Sequence, residues 1–363
     1  MRRINSTSRP RLGRPAVQQD LIVQEIRDQI VAGELLPGSR LPTRESISQK
    51  YGAGANTVQR AIDKLRDDGF ILSNGRNGTH VSPEPPHLTR YALVFPSVPS
   101  DSQWVRFWTA LNNEAISVQR NQGRTLAIYY GVSRDHGSND YLALQQDVLD
   151  HRVAGIIFAT PPFGVLNTPV LDEPGIPRIS IMAESDEVKL PRITPDINSF
   201  FDQAIKFLHE RGCRKIAFLN PSGLENTPSQ CAELLAAKGM MTQPFWNQIV
   251  HLSLPHTAQN LVQLLMHVTQ NERPDGLIIG DDNLVEYATA GLVAAGVRVP
   301  DDIQVVAHCN FPWPTPSVVP VRRLGYDARQ VLQTAIDYVD AMRRGEPVPQ
   351  ATPIYARFED ELL

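Results

Sequence analysis

The chain has 363 residues, of which 42% are hydrophobic and 20% charged, and a formal charge of −4 at pH 7. That length predicts two or three domains with ordinary cores. No apolar run approaches a membrane span, and the first residues lack the apolar stretch of a signal peptide. The modest net charge hides a split. Residues 1–82 hold about 13 Lys/Arg against about 8 Asp/Glu, roughly +5, which leaves roughly −9 for the remainder. Cys213, Cys231 and Cys309 are scattered, odd in number and without metal-binding spacing, and the histidines form no paired pattern. The expectation is a reducing cytoplasm, no structural zinc, no cofactor and no membrane contact.

The first fifteen residues carry Arg2, Arg3, Arg9, Arg11 and Arg14 with no acid before Asp20. They read as a basic disordered arm that either reaches into a DNA groove or is a solvated tail. Residues 16–82 then read as one domain. From Val17 to Val31, Ile22, Ile26 and Ile30 recur every four residues, widened by Val23 and Val31 into a core-facing stripe. Gly33 stops this helix, Pro37-Gly38 turns the chain, and Thr43 can cap a short second helix with Glu45 in its first turn. A third helix starts near Ala55, buries Val58, Ala61, Ile62 and Leu65, and leaves Asn56, Gln59, Arg60 and Asp63 on other faces. Amides match adenine edges and guanidinium groups match guanine. Phe70-Ile71-Leu72 begins a strand, Asn74-Gly75 and Asn77-Gly78 supply a tight hairpin, and Thr79-His80-Val81 starts the return. Two helices around a turn followed by a wing is an arrangement that places one helix in the major groove. A small helical subdomain packing on something larger is the alternative.

The residues Gly33, Pro37-Gly38, Leu41-Pro42-Thr43-Arg44-Glu45, Asn56-Thr57-Val58, Ala61, Leu65, Gly69 and Gly75–Val81 resemble the GntR-type winged-helix transcription regulators. The resemblance implies DNA contact by Thr43, Arg44, Asn56, Thr57, Gln59, Arg60, Gly78, Thr79 and His80. Two departures remove expected guanidinium groups: Gly54-Ala55 stands where the family usually has Ser-Arg, and Gln59 where it often has Arg. Their loss takes away phosphate or guanine anchors.

Ser82-Pro83-Glu84-Pro85-Pro86 predicts a stiff linker over residues 83–88. From residue 89 to 363, apolar strand-like runs alternate with helical ones. Strands are expected at Tyr91–Phe95, Thr125–Tyr130, Gly155–Ala159, Ile179–Met182, Ile216–Leu219, Gly276–Ile279 and Ile303–Ala307. Helices are expected at Val105–Gln122, Tyr141–His151, Ser199–Arg211, Thr257–Asn271, Val285–Ala295 and Ala328–Arg343. Continuous apolar strands separated by helices imply buried parallel sheets, here two α/β lobes with a cleft between them.

Asp196 with the helix after it, "HERGCRKIAFL" (His209–Leu219), "RPDGLIIGDDNLVEYATAGLVAAGVRVPDDIQVVA" (Arg273–Ala307) and "GYDA" (Gly325–Ala328) resemble the effector domain of LacI-type repressors, which has the periplasmic-binding-protein fold. A GntR-type head on such a body is the arrangement of the arabinose repressor subgroup. The resemblance implies a DNA-binding regulator, a homodimer on a palindromic operator, with a small effector in the cleft. The effector would be sugar-related or another polar molecule. Candidate contacts are Trp104, Phe107, Trp108, Asp196, Asp281, Asp282, His308, Asn310 and Trp313. The aromatic residues could equally pack a core, and Asp196 and Asp282 could cap helices. His308-Cys309-Asn310 stands where the family commonly has an Asp, and no Arg follows the strand ending at Leu219, where only Glu225 and Gln230 are near. An enzyme would need a nucleophile with its base, a phosphate loop or a metal set, and no GxSxG, GxxxxGK[ST] or zinc spacing is present. The competing readings are an α/β enzyme or ligand-binding protein whose N-terminal domain is only an interaction module, and a solute-binding protein.

Overall fold

The computed structural model describes residues 15–73, 78–121, 124–182, 187–270 and 272–362. The basic arm expected at the N-terminus and the hairpin residues Asn74, Gly75 and Asn77 lie outside the described residues.

Three helices and a two-stranded wing build the head: α1 (Pro15–Val31), α2 (Arg44–Tyr51), α3 (Ala55–Asp67), β1 (Ile71–Ser73) and β2 (Thr79–Val81). Thr43 Oγ1 accepts from Ser46 N at 3.2 Å, which satisfies one free N–H at the start of α2, and Gly52 ends that helix with φ 59. The stripe Val58, Ala61, Ile62 and Leu65 of α3 packs on Ile22, Ile26 and Ile30 of α1 and on Ile47 of α2, all buried. β1 and β2 pair antiparallel with Ile71 opposite Val81, and Arg40 forms a bridge to His80 that lays the segment before α2 alongside the wing.

The expected linker is exposed at Pro83 and Glu84 but packed from Pro85 onward. Ser82 N donates to Phe70 O at 2.8 Å, Pro85 and Pro86 are buried, and Pro86–Thr89 forms a short helix, α4. His87 stacks on Phe70, with ring centroids 5.9 Å apart.

Beyond α4 come two lobes, each a six-stranded sheet. Lobe 1 holds β3 (Arg90–Val94), β4 (Thr125–Tyr129), β5 (Gly155–Phe158), β6 (Arg178–Ile181), β7 (Arg192–Asp196) and, near the end of the chain, β13 (Ala351–Tyr355). Its order is β13-β7-β6-β5-β3-β4 and every pairing is parallel. Lobe 2 holds β8 (Ile216–Pro221), β9 (Asn247–Val250), β10 (Gly276–Ile279), β11 (Gln304–Phe311), β12 (Arg322–Asp327) and β14 (Arg357–Phe358). Its order is β14-β12-β11-β10-β8-β9, parallel except for β14. Helices α5 (Arg106–Asn121), α6 (Asn139–Leu149), α7 (Pro169–Asp172) and α13 (Ala328–Arg343) cover lobe 1. Helices α8 (Ile197–Glu210), α9 (Thr227–Gln230), α10 (Ala232–Ala237), α11 (Thr257–Leu265) and α12 (Asp282–Ala294) cover lobe 2. Gly155 lets α13 approach, since a Cβ there would meet Val339 at 2.4 Å.

The chain crosses between lobes after β7, after β12 and after β13. In each sheet the first strand has the second on one side and the third on the other. The strand order therefore reverses between β3 and β5 in lobe 1 and between β8 and β10 in lobe 2. Such switch points open a crevice at the carboxyl ends of the strands, where ligands bind in open α/β sheets.

Candidate nucleic-acid interface and interlobe cleft

Of the residues singled out in the head, Thr43, Arg44, Gly78 and Thr79 line one groove, and Asn56, Thr57, Gln59 and Arg60 share one helix. Thr43 and Arg44 open α2; Asn56, Thr57, Gln59 and Arg60 line the first half of α3; Gly78, Thr79 and His80 form the described part of the wing. Arg44, Asn56 and Arg60 are exposed. A groove of about 420 Å³ between the start of α2 and the wing is lined by Arg40, Thr43, Arg44, Gly78 and Thr79, among others. Gln59 is already oriented: its Nε2 donates to Asp63 Oδ1 at 3.0 Å, which leaves its second amide hydrogen and its carbonyl oxygen free.

Arg40 was not among the sequence candidates. Its guanidinium lies against the wing, where a Cβ on Gly78 would stand 3.2 Å from Nε, and Gly78 itself has φ +88. Among the described residues Arg40, Arg44 and Arg60 make no ion pair and are exposed, Arg40 and Arg44 lining the groove beside the wing and Arg60 standing on α3. The readable signal was a basic residue directly before Leu41-Pro42. Its placement depends on the bridge to His80, which spacing does not reveal.

In lobe 2 the structure brings Asp281, Asp282, His308 and Asn310 together at the carboxyl ends of β10 and β11. Asp281 caps α12, accepting from Asn283 N at 2.8 Å. Asp282 turns inward instead and is only 2% exposed. Its Oδ2 accepts from Asn310 Nδ2 at 2.7 Å and from Thr315 Oγ1 at 3.4 Å, and its Oδ1 is 3.9 Å from His308 Nδ1. That last separation is too long for a hydrogen bond. Burial, reinforced by Asp281, pushes the Asp282 carboxyl up, and burial holds the His308 imidazole down. Both shifts favour neutral forms. His308 lies between the rings of Phe200 and Tyr326, each 5.5 Å away.

Asn220, fully buried at the end of β8, completes this row and was missed by the sequence reading. A polar residue closing a strongly apolar strand was the available signal. Among the described residues Asn220 Oδ1, Asn310 Oδ1 and His308 Nδ1 are buried without a hydrogen-bond partner. Orphaned buried polar atoms are uncommon and call for a partner such as water or a ligand.

On lobe 1, Trp104 is half-buried, its Nε1 donating to Thr109 Oγ1 at 2.8 Å. It packs on Phe95, Trp108 and Tyr130 with centroids 4.9, 5.6 and 6.0 Å away. Phe107 and Trp108 sit in the hydrophobic core, although Trp108 Nε1 lacks a partner. Asp196 caps α8, accepting from Asn198 N at 3.0 Å and Ser199 N at 3.2 Å. Glu225 bonds within its own loop, to Gly223 N at 2.9 Å. Trp313 is 42% exposed, and Glu114 of α5 is a buried carboxyl that burial pushes up.

The two lobes touch across the cleft. Arg106 N donates to Asn283 Oδ1 at 3.1 Å, Arg106 Nη2 pairs with Glu286 at 3.0 Å, and the Tyr326 hydroxyl donates to Asp196 O at 2.9 Å. One continuous hydrophobic cluster runs from Phe95 and Trp108 to Phe218 and Tyr326.

Residues 18–81 match the family described as bacterial regulatory proteins, gntR family, and residues 205–356 match the periplasmic binding protein-like domain. An arabinose metabolism transcriptional repressor of Geobacillus stearothermophilus is 21% identical over 345 residues, covering 86% of this chain and 90% of that one. An HTH-type transcriptional regulator of Mycobacterium tuberculosis is 37% identical over 70 residues, which are 19% of this chain and 56% of that protein. Among solved structures, a ribose operon repressor from Burkholderia thailandensis, so described as putative in its own report, superposes with a TM-score of 0.54 at 18% identity, covering 74% of this chain and 98% of that one. A complex of the transcriptional regulator CelR with cellobiose gives 0.56 at 17% identity, covering 88% and 98%.

Proposed function

The chain carries a GntR-family DNA-binding head on a LacI-type, periplasmic-binding-protein-like body, and from that premise we propose that it is a cytoplasmic repressor that binds a palindromic operator as a homodimer and responds to a small polar effector. It is a transcriptional regulator and not an enzyme. The observation that carries the DNA-binding reading is the exposed set Arg40, Arg44 and Arg60, without an ion pair among the described residues, with Arg40 and Arg44 lining the groove beside the wing and Gln59 of α3 keeping its second amide hydrogen and its oxygen open. Phosphates would take the guanidinium groups and base edges would take Asn56 and Gln59.

The effector reading rests on the buried row Asn220, Asp282, His308 and Asn310 at the lobe 2 switch point, with its orphaned acceptors. Groups held neutral or uncharged suit hydroxyl donors better than an ionic ligand. Names of relatives and neighbours that mention arabinose, ribose and cellobiose support a sugar-related effector. The dimer reading draws on the exposed Phe245 and Leu264, which line one apolar hollow of lobe 2 with Leu261 and Leu265.

Selection of sites from random DNA, followed by a salt titration on the selected operator, tests the first reading. Two inverted half-sites and a steep salt slope are expected. A chain that selects no sequence would overturn it. For the effector, a sugar at about a hundred times its dissociation constant should stabilise the fold by about 2.7 kcal/mol, visible as a melting shift. A shift that survives Asn220→Ala and Asn310→Ala would place the site elsewhere.

A further inference from the structure

Neither the operator face nor the cleft uses the most heavily ionised part of the molecule, which lies where the head meets lobe 1. Asp68, directly after α3, is 3% exposed at its side chain and receives three cations from two domains. Arg27 Nη2 of α1 donates to its Oδ2 at 3.2 Å, Lys64 Nζ of α3 to its Oδ1 at 2.9 Å, and Arg152 Nη1 of lobe 1 to its Oδ1 at 2.8 Å. Arg27, itself 5% exposed, also donates Nη1 to Asp150 Oδ1 of lobe 1 at 2.6 Å. Arg152 Nη2 reaches Asp147 Oδ1 at 2.7 Å, and Asp147 further takes Arg90 Nη1 at 2.8 Å and the Tyr129 hydroxyl.

A second set of contacts fixes the connection beside it. The Arg27 guanidinium stands 5.6 Å over the Phe70 ring, which also stacks on His87 of α4. Arg343, in the last turn of α13, donates to Leu88 O at 2.6 Å. A tether would leave its prolines and carbonyls to water, whereas here the connection is packed on the head at one end and on lobe 1 at the other.

The geometry also divides α3 by function. Its first half carries Asn56, Gln59 and Arg60 on the exposed side, and its C-terminal cap is clamped by Arg152. At about 1.5 Å per residue, Asn56 lies roughly 18 Å and Arg60 roughly 12 Å along the axis from Asp68, so docking at the cap leaves the first half of α3 uncovered. Arg152 in turn stands just before β5, whose far end reaches the lobe 1 switch point. Buried ion pairs of this kind add little net stability but resist loss of one partner strongly, because the remaining charge is then buried alone. They therefore specify one docked arrangement.

We propose that the winged helix and lobe 1 form a single rigid unit, locked by the Arg27–Asp68–Arg152 cluster, and that any effector signal reaches DNA by turning whole head–lobe 1 units and not by freeing tethered heads. This second half rests on the effector reading above; the rigid unit does not.

The experiment is chosen to keep the two apart. Spin labels at Glu34→Cys in the head and Leu142→Cys in lobe 1 report their separation in the full chain, with labelled chain diluted into unlabelled chain to suppress signals between subunits. The three native cysteines are buried. Without DNA or effector, the distance distribution should be as narrow as that of a control pair placed within lobe 1, and Arg152→Met should broaden it. Arg27→Met serves as the second variant, and far-UV circular dichroism with a melting curve checks that each head remains folded. A broad distribution in the unaltered chain would overturn the rigid unit. An equally narrow one in both folded variants would remove the cluster as its lock. With a selected operator, the folded variants should retain DNA binding but lose effector-dependent release. Release that persists at full amplitude in a chain with broadened distances would refute the transmission route while leaving both the operator and effector readings standing.

Discussion

The three unpaired guanidinium groups on the operator face allow a quantitative test. Each phosphate that a cation neutralises contributes about −0.9 to the slope of log K against log salt concentration. Between 50 and 200 mM salt, a change of about 0.6 in log concentration, one contact therefore accounts for roughly a 3.5-fold loss of affinity and three contacts for roughly 40-fold. Arg40, Arg44 and Arg60 have no ion pair among the described residues, so none must first be released from an acid and the full term should be seen. Arg40→Ala, Arg44→Ala and Arg60→Ala, measured by fluorescence anisotropy on a selected operator, should each make the slope about 0.9 shallower if the residue meets phosphate. A residue that reads a base instead should cost about 1–3 kcal/mol on the operator and relax the sequence preference at one position. Arg40 is the informative one, since its guanidinium is already laid against Gly78 of the wing. If the triple variant keeps both the affinity and the slope of the unaltered chain, the face has been misassigned.

Gln59→Arg should move the preferred base at one position of each half-site from A·T towards G·C, read by selection from random DNA, because a guanidinium matches guanine where an amide matches adenine. Asp282→Asn should melt higher than the unaltered chain at pH 8, with the gap narrowing as pH falls through the folded value and closing only below about pH 4. A raised folded-state pKa means that the protonated acid contributes stability below its unfolded value of about 4, and that contribution is lost as pH rises through the folded value. A melting difference independent of pH would contradict it. Trp246→Ala removes a fully buried side chain of lobe 2 and should cost about 3–5 kcal/mol by denaturant melting, with operator affinity at low temperature unchanged.

What the amino-acid order revealed was whatever local chemistry determines. The Thr43 cap, the Val58–Leu65 stripe and the long apolar strands could be read because each is decided within a few residues. β7, β9, β12, β13 and β14 escaped. Arg192–Asp196 contains Pro195, Asn247–Val250 opens with two amides, and Arg322–Asp327 opens with two arginines. β9 is an edge strand, and Pro195 falls where β6 no longer pairs with β7, so neither departs from what a sheet tolerates. Short half-polar runs simply resemble loops until a neighbouring strand claims them.

The candidate sites divide in the same way. Asp281 and Asp282 are adjacent acids at the start of one helix, and nothing in their order says which caps it and which is buried. The outcome turns on Asn310 and Thr315, 28 and 33 positions away, whose donors are aimed at Asp282 alone. The head–lobe 1 cluster is more extreme. Asp68 meets Arg27 from 41 positions earlier and Arg152 from 84 positions later, and read singly each is an unremarkable surface charge. Burial converts them. A carboxylate that would be worth little on a solvated helix end becomes costly to leave unpaired once the head closes over it. The residues that orient the DNA-binding helix are thus set by how the domains meet, whereas those facing DNA are set by the helix itself, and that is why only the second group could be read from the sequence.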